Sequence, residues 1–167
     1  GGQVALQNVT LAGDTFYGDA AGAIRLSGVT LDGMATATTI GGEVDLVANS
    51  QTTLKGALIL RGALVAAPEG GGYTTVIVDG AVNLSGGGRL TLTSADGGFS
   101  RLVGQGARHG VLTNLGATLD GAGQIGQGDG GLRLINLATV AADVAGATLT
   151  VYTRTTVVNN GVMKAAA

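Results

Sequence analysis

Gly2-Gln3-Val4-Ala5-Leu6 returns as Gly22-Ala23-Ile24-Arg25-Leu26, Gly42-Glu43-Val44-Asp45-Leu46, Gly62-Ala63-Leu64-Val65-Ala66 and Gly80-Ala81-Val82-Asn83-Leu84. The leading glycine recurs after 20, 20, 20 and 18 residues, so the chain repeats one structural unit. The apolar residues stand two and four places after it, which puts them on one side of an extended strand. Each phrase therefore reads as a short strand entered from a glycine turn. Val4, Ile24 and Val44 are expected to stack in one interior column, with Leu6, Leu26 and Leu46 in the next.

A unit of about 20 residues made of two or three short strands cannot bury its own apolar face and must stack on copies of itself. The expected fold is all-β, a parallel β-helix or solenoid of about seven to eight coils, with residues 1–167 as one segment. Stacked coils close their ladder hydrogen bonds with the coil above and below, at roughly 4.8 Å spacing. An antiparallel sandwich also uses short strands and glycine turns, but its hairpins do not call for the same glycine at 2, 22, 42 and 62.

Outward from the opening phrase, Val9-Thr10-Leu11 and Val29-Thr30-Leu31 give the first two units a second strand. The third unit has the more polar Asn49-Ser50-Gln51-Thr52-Thr53-Leu54 there and is expected to be looser. Pro68-Glu69-Gly70-Gly71-Gly72 is the strongest turn signal and predicts a projecting loop. Beyond Gly110 the phrase becomes Leu112-Thr113-Asn114, Leu134-Ile135-Asn136 and Val157-Val158-Asn159. At equivalent corners Asn114, Asn136 and Asn159 would bond one above another as a structural ladder. The Ala-rich stretch 137–145 is the best helical candidate, yet it falls inside the repeating pattern.

Composition narrows the function. The core must be aliphatic, since 3% of residues are aromatic and none is Trp. A net charge of −2 with 12% charged residues offers no basic surface, so nucleic acid is not an expected partner. Absence of cysteine removes disulfides and thiolate zinc sites. The longest apolar stretch, Ala57 to Ala67, is interrupted by Arg61 and is too short to span a bilayer. Both ends fall within repeat text, from which the chain is expected to be a piece of a longer protein, with open coil edges able to pair end to end with further copies.

Gly121-Ala122-Gly123-Gln124-Ile125-Gly126 matches a dinucleotide fingerprint, but no helix follows, so turn glycines are the reading. Gly126-Gln127-Gly128-Asp129-Gly130-Gly131 lacks the spacing and the nine-residue copies of a calcium repeat. Asp14, Asp19, Asp32, Asp45, Asp79, Asp96, Asp120, Asp129 and Asp143 are spread almost evenly, with only Asp14 and Asp32 expected near one corner. His109, beside Arg108, has no second residue with which to build a triad. Asn8-Val9-Thr10 and Asn83-Leu84-Ser85 are formal glycosylation sequons, and the Thr-x-Thr pairs at 36, 91 and 148 fall at unrelated offsets for an ice-binding face. No catalytic residue, metal site or cofactor is predicted, and the chain is not expected to be an enzyme.

The phrases Val82-Asn83-Leu84-Ser85-Gly86-Gly87-Gly88-Arg89-Leu90-Thr91-Leu92, Leu112-Thr113-Asn114, Gly121 to Gly126 and Leu132 to Asn136 resemble repeats of large secreted bacterial proteins, the autotransporter passengers and filamentous-haemagglutinin-like adhesins. The resemblance implies a right-handed parallel β-helix displayed at a bacterial surface or secreted. It also implies a stalk or interaction scaffold whose partners are host or neighbouring cell surfaces or their glycans. A polysaccharide-acting enzyme, a tailspike-like fibre and an ice-binding solenoid are the alternatives.

Overall fold

The computed structural model describes residues 1–18, 22–95, 97–106 and 109–166. Every described element is a β-strand, and the strands stack in parallel as a solenoid of about 7 turns. Each coil contributes to three ladders. Ladder one stacks Gln3–Gln7, Ala23–Ser27, the end of the long strand Val29–Leu46, Ala63–Ala66, Arg89–Leu92, Thr118–Gly121, Thr139–Ala142 and Val162–Ala165. The second and third ladders share the long strands Val29–Leu46, Gln51–Leu60 and Tyr73–Ser85, which turn from one ladder into the other at a shift of register, with left-handed glycines at Gly56 and Gly80.

Register between coils lines up the interior side chains. In ladder one Val4, Ile24, Val44, Leu64, Leu90, Leu119, Val140 and Met163 form one column, and Leu6, Leu26, Leu46, Ala66 and Leu92 the next. Ladder two aligns Val29, Thr52, Val76, Leu102, Ile125 and Val151. Ladder three aligns Thr38, Leu58, Leu84, Asn114, Asn136 and Asn159. These columns meet in one aliphatic core in which Leu26, Leu31, Leu54, Leu58, Leu60 and Leu102 have no exposed surface. Val4 departs from its expected interior place: it is 54% exposed, because its coil has a neighbour on only one side.

Glycine recurs in the repeat for a steric reason. A Cβ on Gly42 would fall on the carbonyl oxygen of Gly18, and one on Gly62 would fall on that of Gly42. The corner between ladders three and one thus brings successive backbones too close for any side chain. Gly42 also has φ +70, a left-handed conformation that favours glycine.

Two further expectations need correction. The phrase Gly80-Ala81-Val82-Asn83-Leu84 does not continue ladder one: Ala81 to Leu84 pair with Val111 to Asn114 in ladder three. Gly88-Arg89-Leu90-Thr91-Leu92 takes the place in ladder one instead, since the loop at 67–72 lengthens its coil and shifts the phrase. The third unit is not loose either. Its polar stretch is the start of strand Gln51–Leu60, in which Thr52 and Leu54 are fully buried. Within 137–145, Thr139–Ala142 is a strand of ladder one.

The predicted loop at Pro68–Gly72 leaves the corner between ladders one and two, and excursions stack around it. Asn49 Nδ2 donates to the Glu69 carbonyl at 2.8 Å from the coil below. Thr74 Oγ1 accepts from the Asn49 N–H at 3.0 Å and donates to the Ala67 carbonyl at 3.0 Å. In the coil above, Ser94–Ala95 folds back antiparallel on Gly98–Phe99, a departure from the parallel rule confined to this corner.

Candidate functional site

The asparagine ladder lies at the corner between ladders three and one. Asn114 Nδ2 donates to Asn136 Oδ1 at 2.9 Å, and Asn136 Nδ2 donates to Asn159 Oδ1 at 2.7 Å. Each buried amide also serves the turn beside it: Asn114 Oδ1 accepts from Ala117 N–H at 3.0 Å, and Asn136 Nδ2 reaches the Val162 carbonyl of the next coil at 3.2 Å. Asn114 and Asn136 have no exposed surface, whereas Asn159 is exposed. The ladder occupies the column that Leu58 and Leu84 fill lower down, so amide hydrogen bonds replace aliphatic contact in the upper coils.

Most carboxylates are dispersed, although Asp143 comes close enough to Asp120 to act on its carboxyl. Asp32 pairs with Ala12, not Asp14, and its Oδ1 accepts from the Met34 N–H at 2.9 Å. Asp79 pairs with Lys55 at 3.0 Å. Asp129 accepts from Gln127 Nε2 at 2.7 Å and Gly131 N–H at 2.8 Å, and these two donors hold its carboxyl below the usual carboxylate range. Asp19, Asp96 and Arg108 lie outside the described residues. Among the described residues no three His, Asp or Glu side chains come close enough to hold a metal ion. His109 adopts φ 49, with Nδ1 3.1 Å from the Gly130 carbonyl. The glycines at 126 and 128 are backing for an aromatic residue: a Cβ on Gly128 would run into the Tyr152 ring, and Gly128 N–H donates to the Tyr152 carbonyl at 2.7 Å.

Among the described residues Asp120 is the one charged side chain in the buried set, 1% exposed on ladder one. Arg89 Nε approaches its Oδ2 at 3.3 Å, and neither oxygen has a well-directed hydrogen bond. Burial pushes its carboxyl above the usual carboxylate range; Thr91, in register below it, and Arg89 offset this in part, while the Asp143 carboxylate adds to it.

Two outward-facing groups were not visible in the sequence. Tyr73 and Phe99 are in register and meet edge to face, with ring centroids 4.7 Å apart, and the Arg101 guanidinium covers the Tyr73 ring at 4.4 Å. This cluster lies where the excursions around 67–72 return to the sheet. The second group is a column on ladder three. Tyr17 pairs with Gly41, and Arg61 follows Leu60, the partner of Ile40, so ring, gap and guanidinium succeed one another across three coils. Thr15 and Thr39 form the parallel column beside them. These residues line a trough of about 550 Å³. The spacing of Tyr17, Gly41 and Arg61 was legible only once the coil lengths were known.

No protein-family model matches the chain, and neither curated proteins nor solved structures give a match. No helix among the described residues is long and apolar enough to cross a membrane.

Proposed function

We propose that this chain is a structural and adhesive segment of a bacterial surface or secreted protein, a stalk that holds interaction sites away from the cell. The observation that carries this reading is the unbroken interior: aliphatic columns and the asparagine ladder run through successive coils, while the long excursions leave from one corner. A stack of this kind gains rigidity from nearest-neighbour coil contacts, which suits a rod, and its loops and outer faces remain open to partners. The resemblance of its phrases to adhesin repeats points the same way and favours an extracellular setting. Most carboxylates are dispersed, and of the interacting pair Asp120 and Asp143 the former is buried, which supports binding without turnover in preference to the glycan-cleaving alternative, since that needs an acid and a base both open to the substrate.

The test coats beads with the purified chain and measures capture of bacterial and epithelial cells, while the same chain is incubated with neutral and acidic glycans and assayed for new reducing ends. Capture without turnover is expected. Turnover abolished by one Asp→Asn substitution would replace the scaffold reading with an enzymatic one.

A further inference from the structure

Tyr73, Phe99 and Arg101 stand on the outer face of ladder two, in two successive coils of the middle of the stack, with paired coils below and above them. Tyr73 is 45% exposed, and its ring carries the Arg101 guanidinium, whose carbon is 4.4 Å from the ring centroid. Arg101 Nε donates to Thr75 Oγ1 at 3.2 Å. These two contacts fix the guanidinium plane and use one of its five donors. The Nη edge remains, four N–H groups in a flat fork. Among the described residues no carboxylate pairs with that fork: the two ion pairs are Lys55–Asp79 and Arg89–Asp120.

Register supplies the surroundings of the fork. Gln51, Thr75, Arg101, Gln124 and Thr150 form one outward column, in which Arg101 is the only charge. The columns on either side, Tyr73 with Phe99 and Thr53 with Ile77 and Val103, carry none. At the nearby corner Glu69 is exposed on the loop, Asp143 accepts from the Gly121 N–H, and Asp96 lies outside the described residues. The net charge of −2 over the whole chain repels an anion weakly, because screening at physiological salt acts within about 8 Å. An oriented guanidinium fork selects a carboxylate, which it binds through two parallel hydrogen bonds. The amides and hydroxyls of Gln51, Gln124 and Thr150 both donate and accept, as a hydroxyl-rich chain requires, and the rings offer a surface to an apolar C–H face. A ligand laid along the stack meets one of these groups at each coil, roughly every 4.8 Å. A peptide strand finds no open backbone edge here, since ladder two is paired with coils on both sides.

We propose that Arg101, held by Tyr73 and Thr75, anchors a subsite for a carboxylate-bearing oligosaccharide. One carboxylate sits on the Nη fork, the sugar that carries it lies against Tyr73 and Phe99, and its neighbours run along Gln124 and Thr150. The inference rests on the scaffold reading, since it names the class of ligand such a scaffold would hold.

Fluorescence anisotropy tests it with three labelled probes: an oligouronate, the same oligomer with its carboxyl groups reduced to hydroxymethyl groups, and an oligoglutamate of equal length. The oligouronate should bind about tenfold or more tightly than either of the others, and its affinity should fall as salt rises. Arg101→Ala and Arg101→Lys should each weaken it by about tenfold or more, because an ammonium group cannot present the fork. Tyr73→Phe, which keeps the ring under the guanidinium, should retain most of the affinity, and Tyr73→Ala should cost several-fold. Arg101→Lys and Tyr73→Phe should keep the parent unfolding temperature, so they decide the matter even where an alanine variant is less stable. Absence of oligouronate binding, equal affinity for the reduced oligomer, equal or tighter binding of oligoglutamate, or unchanged affinity in Arg101→Lys would overturn the proposal. Bead capture separates the two readings: capture by a parent chain that binds no oligouronate removes this subsite alone, whereas absence of capture removes the adhesive reading.

Discussion

Thr52 shows at the residue scale what a column tolerates. It lies between Val29 and Val76 with no exposed surface, and its hydroxyl has no hydrogen-bond partner. A buried hydroxyl without a partner costs about 1–3 kcal/mol, and valine has nearly the same shape. Thr52→Val should therefore raise stability by about 1 kcal/mol or more, read as a higher denaturation midpoint with an unchanged slope. Asp120 is a costlier misfit, and its sign can be worked out. Its folded pKa is raised, so the folded state holds the proton more tightly than the unfolded chain does. Its contribution thus favours the fold below the ordinary carboxylate value and is lost as pH rises through the raised one. Asp120→Asn should be more stable than the parent at neutral pH, with the gap closing as pH falls toward the ordinary value. Arg89, whose side chain is 55% exposed, keeps its hydration when the charge opposite is removed. A variant less stable at neutral pH would show that the Arg89 contact outweighs burial. Asp129 acts in the opposite sense: its folded pKa is lowered, so its contribution is present above the ordinary value and fades as pH falls through the folded one.

At the scale of elements, the asparagine ladder is a cooperative unit. Asn136 bonds to a neighbour on each side, whereas Asn159 bonds to one asparagine and its own turn. Asn136→Ala leaves the Asn114 donor and the Asn159 acceptor without their asparagine partner and should cost about 2–4 kcal/mol, more than Asn159→Ala. A double-mutant cycle between Asn114 and Asn136 should give a coupling energy well above zero, since buried networks are worth more than their separate parts. Near-additive losses would mean that each amide works mainly as a cap for its own turn. The loop at 67–72 belongs to the same scale. It lengthens one coil without disturbing the columns on either side, because Leu64 to Leu90 and Ala66 to Leu92 remain in register across it.

For the whole molecule, each coil contacts only its neighbours, so protection should follow position along the stack. Ladder-one residues Val44, Leu64, Leu90 and Leu119 are at most 2% exposed, while Val4 and Met163 at the two ends of that column are 54% and 41% exposed. Hydrogen exchange should be slowest for the amides of Leu64 and Leu90 and fastest in Gln3–Gln7 and Val162–Ala165. Uniform exchange along the column would show that the stack opens all at once.

Period-two alternation and a recurring glycine were enough to determine a stacked parallel β fold, because both express strand geometry and backbone approach, which act within a few residues. The columns from Val4 to Val44 and the asparagine phrases were legible for the same reason: the first coils share one length, and so do their registers. What only the tertiary structure decided is which later phrase enters which ladder, since excursions such as 67–72 change coil length without changing local pattern. That is why Gly80 was read into the column that Gly88 occupies. The burial of Asp120 and the alignment of Tyr17, Gly41 and Arg61 were hidden for a related reason. Lateral neighbours in a solenoid are a whole coil apart in sequence, and no local period reports on what lies beside a residue once coil lengths differ.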